Sequence, residues 1–193
     1  MKIGVLALQG AFAEHEKVLE QLGAECIELR QARNLSEPYD ALVLPGGEST
    51  VQGKLLKELG MFDIMKSQIE NGMPVLATCA GAILLAETIN GQMKGQPEQY
   101  FGKIPMCIKR NAYGRQLGSF HTEAPVAGIG TVPMTFIRAP YIASVGNGVE
   151  VLAVVEERIV GVKYKNQMAF SFHPELDPDM RIHKTFLSMI SNV

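Results

Sequence analysis

Cysteine is scarce in this chain of 193 residues, which has three: Cys26, Cys79 and Cys107. None belongs to a C-x-x-C pair, and any pairing scheme leaves one thiol over. A disulfide framework or a thiolate zinc site is therefore not expected, and neither is a metal or a cofactor. Free thiols suit a reducing compartment, so the expected location is cytoplasmic. A charge excess of one sign is also missing. The 18 basic and 20 acidic residues give a formal net charge of −2, no footprint for nucleic acid. Long hydrophobic runs are missing too. The apolar start Ile3–Leu8 is broken by Gln9-Gly10 and is shorter than the core of a signal peptide, although Ala11-Phe12-Ala13 imitates a cleavage site. No run approaches the ~20 apolar residues of a membrane span. Repeats, low-complexity tracts and linkers are absent, so one domain over residues 1–193 is expected.

What is there has the composition of a globular domain, 47% hydrophobic and 20% charged. The N-terminal half alternates two periods. Ile3–Leu8, Cys26–Leu29, Ala41–Leu44 and Pro74–Thr78 are short apolar runs, as strands covered on both faces require. Between them, Phe12, His15, Leu19 and Leu22 recur at helical spacing, and Gly23 is placed to stop that helix. Further helices are expected over Val51–Leu59, Met61–Asn71, Ala80–Thr88 and Met180–Ile190. The rhythm predicts an α/β domain with a mostly parallel central sheet and helices on both faces. Residues 103–172 carry short strand-like runs, among them Val151–Val155, Ile159–Val162 and Met168–Phe172, which predict an antiparallel extension or the remaining strands of the sheet.

Cys79 lies where the run Pro74–Thr78 passes into a helical segment with no loop between. That is the layout of a nucleophile elbow, with Ala80 and Gly81 small where backbones must approach. A helix N-terminus lowers a thiol pKa and can hold an oxyanion. The competing reading is a small buried hydrophobe, which most cysteines are. A thiol nucleophile needs a base, and the base needs an orienting group. His15 and His183 fall on helices, and His121 has Glu123 two residues on. His173, in Ser171-Phe-His-Pro-Glu175, is the best placed, following a strand. Pro174 biases it toward an extended backbone, in which residues two apart share a side, so Glu175 can reach its ring. A polar turn after a strand is the plainer alternative.

The Thr-Cys-Ala-Gly elbow, the loop Pro45-Gly-Gly-Glu-Ser-Thr50 and Ser171-Phe-His-Pro-Glu175 together resemble class I glutamine amidotransferases. Within them, Gly4-Val-Leu-Ala-Leu-Gln-Gly10, Arg110-Asn-Ala-Tyr-Gly-Arg-Gln116 and Phe136-Ile-Arg-Ala-Pro140 resemble the glutaminase subunits of pyridoxal 5′-phosphate synthases. The resemblance runs from the first residue to the final helix. It implies a flavodoxin-like three-layer fold, a Cys79-His173-Glu175 triad acting on L-glutamine, and a synthase subunit that takes up the ammonia for vitamin B6. His121-Thr-Glu123 and Ala127–Pro133 depart from that pattern, as does Ala82 in the elbow.

Attack on glutamine creates an oxyanion, for which the backbone N–H of Ala80 and of the Gly46-Gly47 turn are the candidate donors. Ser49 or Thr50 is placed to cap the helix after that turn. A carboxylate such as Glu48 suits the ammonium of the substrate, and arginine suits its carboxylate. Arg110 and Arg138, with Ile137 beside, match substrate-contacting positions by resemblance alone. Gln9 and Gly10 are expected at the same sheet edge in a docking or gating role. The rivals are the glutaminase of another amidotransferase, such as imidazole glycerol phosphate synthase, a free-standing γ-glutamyl hydrolase, or a binding subunit without activity.

Overall fold

The structure, a computed structural model, describes residues 1–90, 99–110 and 118–190. Its first half builds the parallel sheet: β1 (Lys2–Leu6), α1 (Phe12–Gln21), β2 (Glu25–Leu29), β3 (Ala41–Leu44), α2 (Ser49–Glu58), α3 (Phe62–Glu70), β4 (Val75–Thr78) and α4 (Ala80–Leu85). The second half adds β5 (Ala86–Asn90), β6 (Ile104–Lys109), β7 (Ser119–Val126), β8 (Gly130–Ile137), β9 (Tyr141–Val145), β10 (Glu150–Val155), β11 (Arg158–Tyr164), β12 (Gln167–Phe170) and α5 (Arg181–Ile190). Among the described residues the main sheet runs β2-β1-β3-β4-β12-β11-β9-β6-β5, with β10 alongside β11.

From β2 to β12 neighbouring strands are parallel; β11, β10, β9 and β6 then join antiparallel. β3 and β4 are buried at every residue, because helices cover both their faces. The period of two sorts their side chains. Leu42, Leu44, Val75 and Ala77 pack with Leu56 of α2 and Phe62, Met65 and Ile69 of α3. Ala41, Val43 and Leu76 face the other way, toward Leu19 of α1 and Ile182 and Phe186 of α5. Burying one such leucine contributes roughly 2 kcal/mol, so a charge at Leu44 would break the layer that holds β3 against α2. The separate β7-β8 hairpin packs into the second layer through Val132, Met134 and Phe136.

One expected element is corrected. The helix predicted over Ala80–Thr88 ends at Leu85, and Ala86–Asn90 leave as a strand. Residues 80–86 are all buried, so their uniform apolarity carried no period to read. Parallel pairing of Ala86–Asn90 with β6 decides the outcome.

Chain order places the site. The path goes from β1 out to β2 and returns on the other side of β1 as β3, which opens a crevice beyond the carboxyl ends of β1 and β3. Gln9 follows β1, Gly46 follows β3, Cys79 follows β4 and His173 follows β12, so four parallel strands deliver residues to one edge.

Candidate active site

Cys79 makes the strand-to-helix turn by itself, with φ 46° and ψ −101°. For a residue with a Cβ that backbone costs about 1–3 kcal/mol. The neighbouring strand and the helix itself hold it: the Cys79 N–H donates to the Phe170 carbonyl of β12 at 2.8 Å, and the Ile83 N–H of α4 to the Cys79 carbonyl at 3.2 Å. Gly81 allows α4 to sit on β3, since a Cβ there would lie 2.0 Å from the Leu44 carbonyl oxygen.

His173 is anchored by its own N–H, which donates to the Thr135 carbonyl of β8 at 2.8 Å. Glu175 reaches it by a different route from the one expected. Pro174–Leu176 form a 3-10 turn, and this turn rather than strand alternation brings Glu175 under the ring. The contact is Nδ1 to Oε1 at 2.7 Å. A carboxylate only accepts, so Nδ1 carries the proton and Nε2 is left for the thiol. Burial opposes charge on His173, but its hydrogen bonds to Cys79 and Glu175 and their negative charge outweigh that and push it up to about 10. Glu175 is itself buried, and burial raises its carboxyl while His173 holds it down.

The turn after β3 closes on this pair. A Cβ on Gly46 would meet His173 Cε1 at 2.2 Å and Cys79 Cβ at 3.3 Å. The Gly46 N–H donates to Thr78 Oγ1 at 3.0 Å, and its carbonyl accepts from the Ala11 N–H at 3.1 Å. The Glu48 N–H donates to Gln9 Oε1 at 2.7 Å. Gln52 braces the loop from α2, its Nε2 donating to the Gln9 carbonyl at 2.9 Å and the Pro45 carbonyl at 3.2 Å. The capping expectation shifts by a residue: Glu48, not Ser49 or Thr50, caps α2, its carboxylate accepting from the Thr50 N–H at 3.4 Å.

A cleft of about 230 Å³ opens over the edge, and Cys79 and His173 share its wall with Gly46, Gly47, Glu48, Arg110, Ile137 and Arg138. All the residues expected to hold substrate are therefore present. Glu175 lies behind His173, away from the lining. Ala80 is buried as the first residue of α4. Arg138 has φ 43°, and its N–H donates to the Gly118 carbonyl. The segment following Arg110, expected from sequence to mark the subfamily, lies outside the described residues. His121, the other histidine weighed as a base, is on β7 with Nδ1 3.1 Å from Thr135 Oγ1, outside the lining of the cleft.

Sequence reasoning missed a layer behind His173 and Glu175. His15 and His183 are fully buried and meet at 2.9 Å, and His15 Nε2 stands 3.0 Å from Thr78 Oγ1. The signal was available for one of them: His15 occupies an inward position of the α1 period, between Phe12 and Leu19.

Comparison with known proteins agrees along the chain. The model of a family described as the SNO glutamine amidotransferase family matches residues 5–192. A pyridoxal 5′-phosphate synthase subunit PdxT from Desulfitobacterium hafniense strain Y51 is 59% identical over 192 residues, covering 100% of this chain and 94% of the relative. One from Streptococcus pneumoniae serotype 2 strain D39 is 53% identical over 192 residues, covering 98% and 97%. A crystal structure of a glutamine amidotransferase superposes with a TM-score of 0.91 at 43% identity, covering 98% of each chain.

Proposed function

The chain belongs to the SNO glutamine amidotransferase family, and from that premise we propose that it is the glutaminase subunit of a pyridoxal 5′-phosphate synthase. It is an enzyme that hydrolyses L-glutamine to L-glutamate and ammonia. The observation that carries the reading is Cys79 and His173 side by side in the wall of one cleft, with Glu175 hydrogen-bonded to His173 from behind at 2.7 Å and Glu48, Arg110 and Arg138 in the same lining.

In this reading His173 Nε2 takes the thiol proton, helped by the basicity that Glu175 lends it. Cys79 Sγ attacks the side-chain carbonyl of glutamine and forms a tetrahedral oxyanion. Gly46 and Glu48 already spend their N–H groups on Thr78 and Gln9, which favours the Gly47 N–H as one oxyanion donor. The Ala80 N–H, next to the nucleophile, is the other. Protonated His173 gives its proton to the departing ammonia, leaving a γ-glutamyl thioester. Water, deprotonated by His173, hydrolyses it to glutamate and frees the thiol. Glu48 is assigned to the substrate ammonium, Arg110 and Arg138 to its carboxylate, and Ile137 to the wall between them.

Ammonia passes to a synthase subunit, and the working place is the cytoplasm. Among the described residues no helix is long and apolar enough to cross a membrane. Residues 1–193 act as one amidotransferase domain. The test is glutamate release from glutamine with the chain alone and with a pyridoxal 5′-phosphate synthase subunit added. Stimulation that is lost in Cys79→Ala is the expected result. Equal turnover with and without the partner would favour a free-standing γ-glutamyl hydrolase, or a glutaminase serving another synthase.

A further inference from the structure

Behind the triad lies a pair of buried histidines that the reaction above does not use. His15 comes from α1 and His183 from α5, and the Nδ1 of His15 is 2.9 Å from the Nε2 of His183. The other nitrogen of His15 has two neighbours, Thr78 Oγ1 at 3.0 Å and Glu175 Oε2 at 3.3 Å. Thr78 Oγ1 also accepts the Gly46 N–H. One ring therefore touches both the carboxylate that orients His173 and the hydroxyl that anchors the Gly46-Gly47 turn.

The tautomers follow from what each atom can do. A lone pair on His15 Nε2 would face a carboxylate oxygen, so the proton sits on Nε2. Nδ1 then accepts from the Nε2–H of His183, whose Nδ1 is buried without a partner among the described residues. Burial keeps both rings neutral, lowering His15 well below the ordinary histidine range and His183 to about 4. Glu175 Oε2 is buried and has no aligned hydrogen bond among the described residues, although His15 Nε2 is within contact distance. An unmet carboxylate oxygen in such a place is costly. A small turn of the imidazole toward Oε2, 3.3 Å away, would supply the missing donor.

We propose that His15, held by His183, is a positioning residue for glutamine hydrolysis: its Nε2–H fixes the second oxygen of Glu175 and the Thr78 hydroxyl, setting the base and the Gly46-Gly47 turn in register. His15 lies behind the cleft wall, so it acts on the reaction through those two groups. The inference rests on the triad reading given above.

The test compares wild type, His15→Leu and His15→Gln, each mixed with the synthase subunit, by steady-state glutamate release. Leucine fills the space without a donor, whereas the glutamine amide places an N–H about where Nε2 stood. His15→Leu should lower kcat on the order of 10- to 100-fold with KM within about twofold, and His15→Gln should recover to within about fivefold of wild type. Unchanged kcat in His15→Leu overturns the proposal. So does a loss confined to KM, or a His15→Gln protein no better than His15→Leu at equal melting temperature. Should His15→Leu fail to fold, 15N spectra of the wild-type histidines decide: a neutral His15 ring protonated at Nε2 at pH 7 supports the inference, and protonation at Nδ1 or at both nitrogens sinks it. A wild type that releases no glutamate even with its partner would overturn the hydrolase reading itself.

Discussion

Arg110 and Glu48 hold each other across the mouth of the cleft, Nη2 to Oε1 at 3.0 Å. They come from the end of β6 and the start of α2, 62 residues apart in sequence. In the proposed reading they take opposite ends of the substrate, so without glutamine each satisfies the group that substrate will claim. The Glu48 carboxylate also accepts from Thr50 Oγ1 at 2.8 Å and caps α2, so it is held in place after Arg110 lets go.

An ion pair this exposed contributes about 0.2–1 kcal/mol, so parting it should cost less than about fivefold in substrate affinity. Arg110→Gln and Glu48→Gln should each raise KM for glutamine by more than that, since each loses a substrate contact, and should leave kcat within about threefold. Steady-state kinetics on the complex would check this. A kcat loss at constant KM would remove both residues from substrate binding.

Cys79→Ala should release no glutamate above background, because no other group can form the thioester. Glu175→Gln removes an orienting group and should retain a rate roughly one to two orders of magnitude above Cys79→Ala. Equal rates in the two variants would contradict the roles assigned to them. Cys79→Gly should also resist urea better than Cys79→Ala by about 1 kcal/mol, since glycine tolerates the positive φ at that turn.

Gly46 and Gly81 are both packed against other atoms, but their substitutions should fail differently. A Cβ on Gly46 strikes the side chain of His173, so Gly46→Ala should fold and lose kcat by more than about tenfold as the base is displaced. A Cβ on Gly81 strikes the Leu44 backbone, which cannot swing aside, so Gly81→Ala should cost about 1–3 kcal/mol of stability. Urea midpoints and turnover, measured on both, separate the two cases.

The buried histidines make stability depend on pH with opposite signs. His183 is lowered to about 4 by burial, against about 6.5 in an unfolded chain. Its contribution is complete above pH 6.5 and is lost as pH falls toward 4, a span on the order of 3 kcal/mol. His173 is raised to about 10, so its contribution is complete below pH 6.5 and is lost as pH rises through 10. Urea stability should therefore peak at about pH 6.5. His183→Leu should shrink the acid limb, the remainder being carried by His15, which burial also depresses, and His173→Gln should flatten the alkaline side. An acid limb that is unchanged in His183→Leu would show that His183 does not carry it.

Local signals in the sequence were enough for much of this. Apolar runs bounded by turn residues marked β1, β2, β3 and β4, because strands buried on both faces must be apolar throughout. The elbow at Cys79 was legible because a strand passed into a helix without a loop, and Glu175 was legible because it lies two residues from His173. What the sequence left open involves groups that meet only after the chain has crossed the sheet. Ala86–Asn90 became a strand because β6 was there to pair with it. Cys79 and His173 came to one cleft because β4 and β12 are neighbours in the sheet, although the two residues lie far apart in sequence. In the sequence, His15 and His183 read only as residues of two separate helices, and Thr78 only as the end of a strand. Buried away from the surface, His15 meets both Thr78 and His183, and only the packing of α1 and α5 on the back of the sheet decided that it does so behind Glu175.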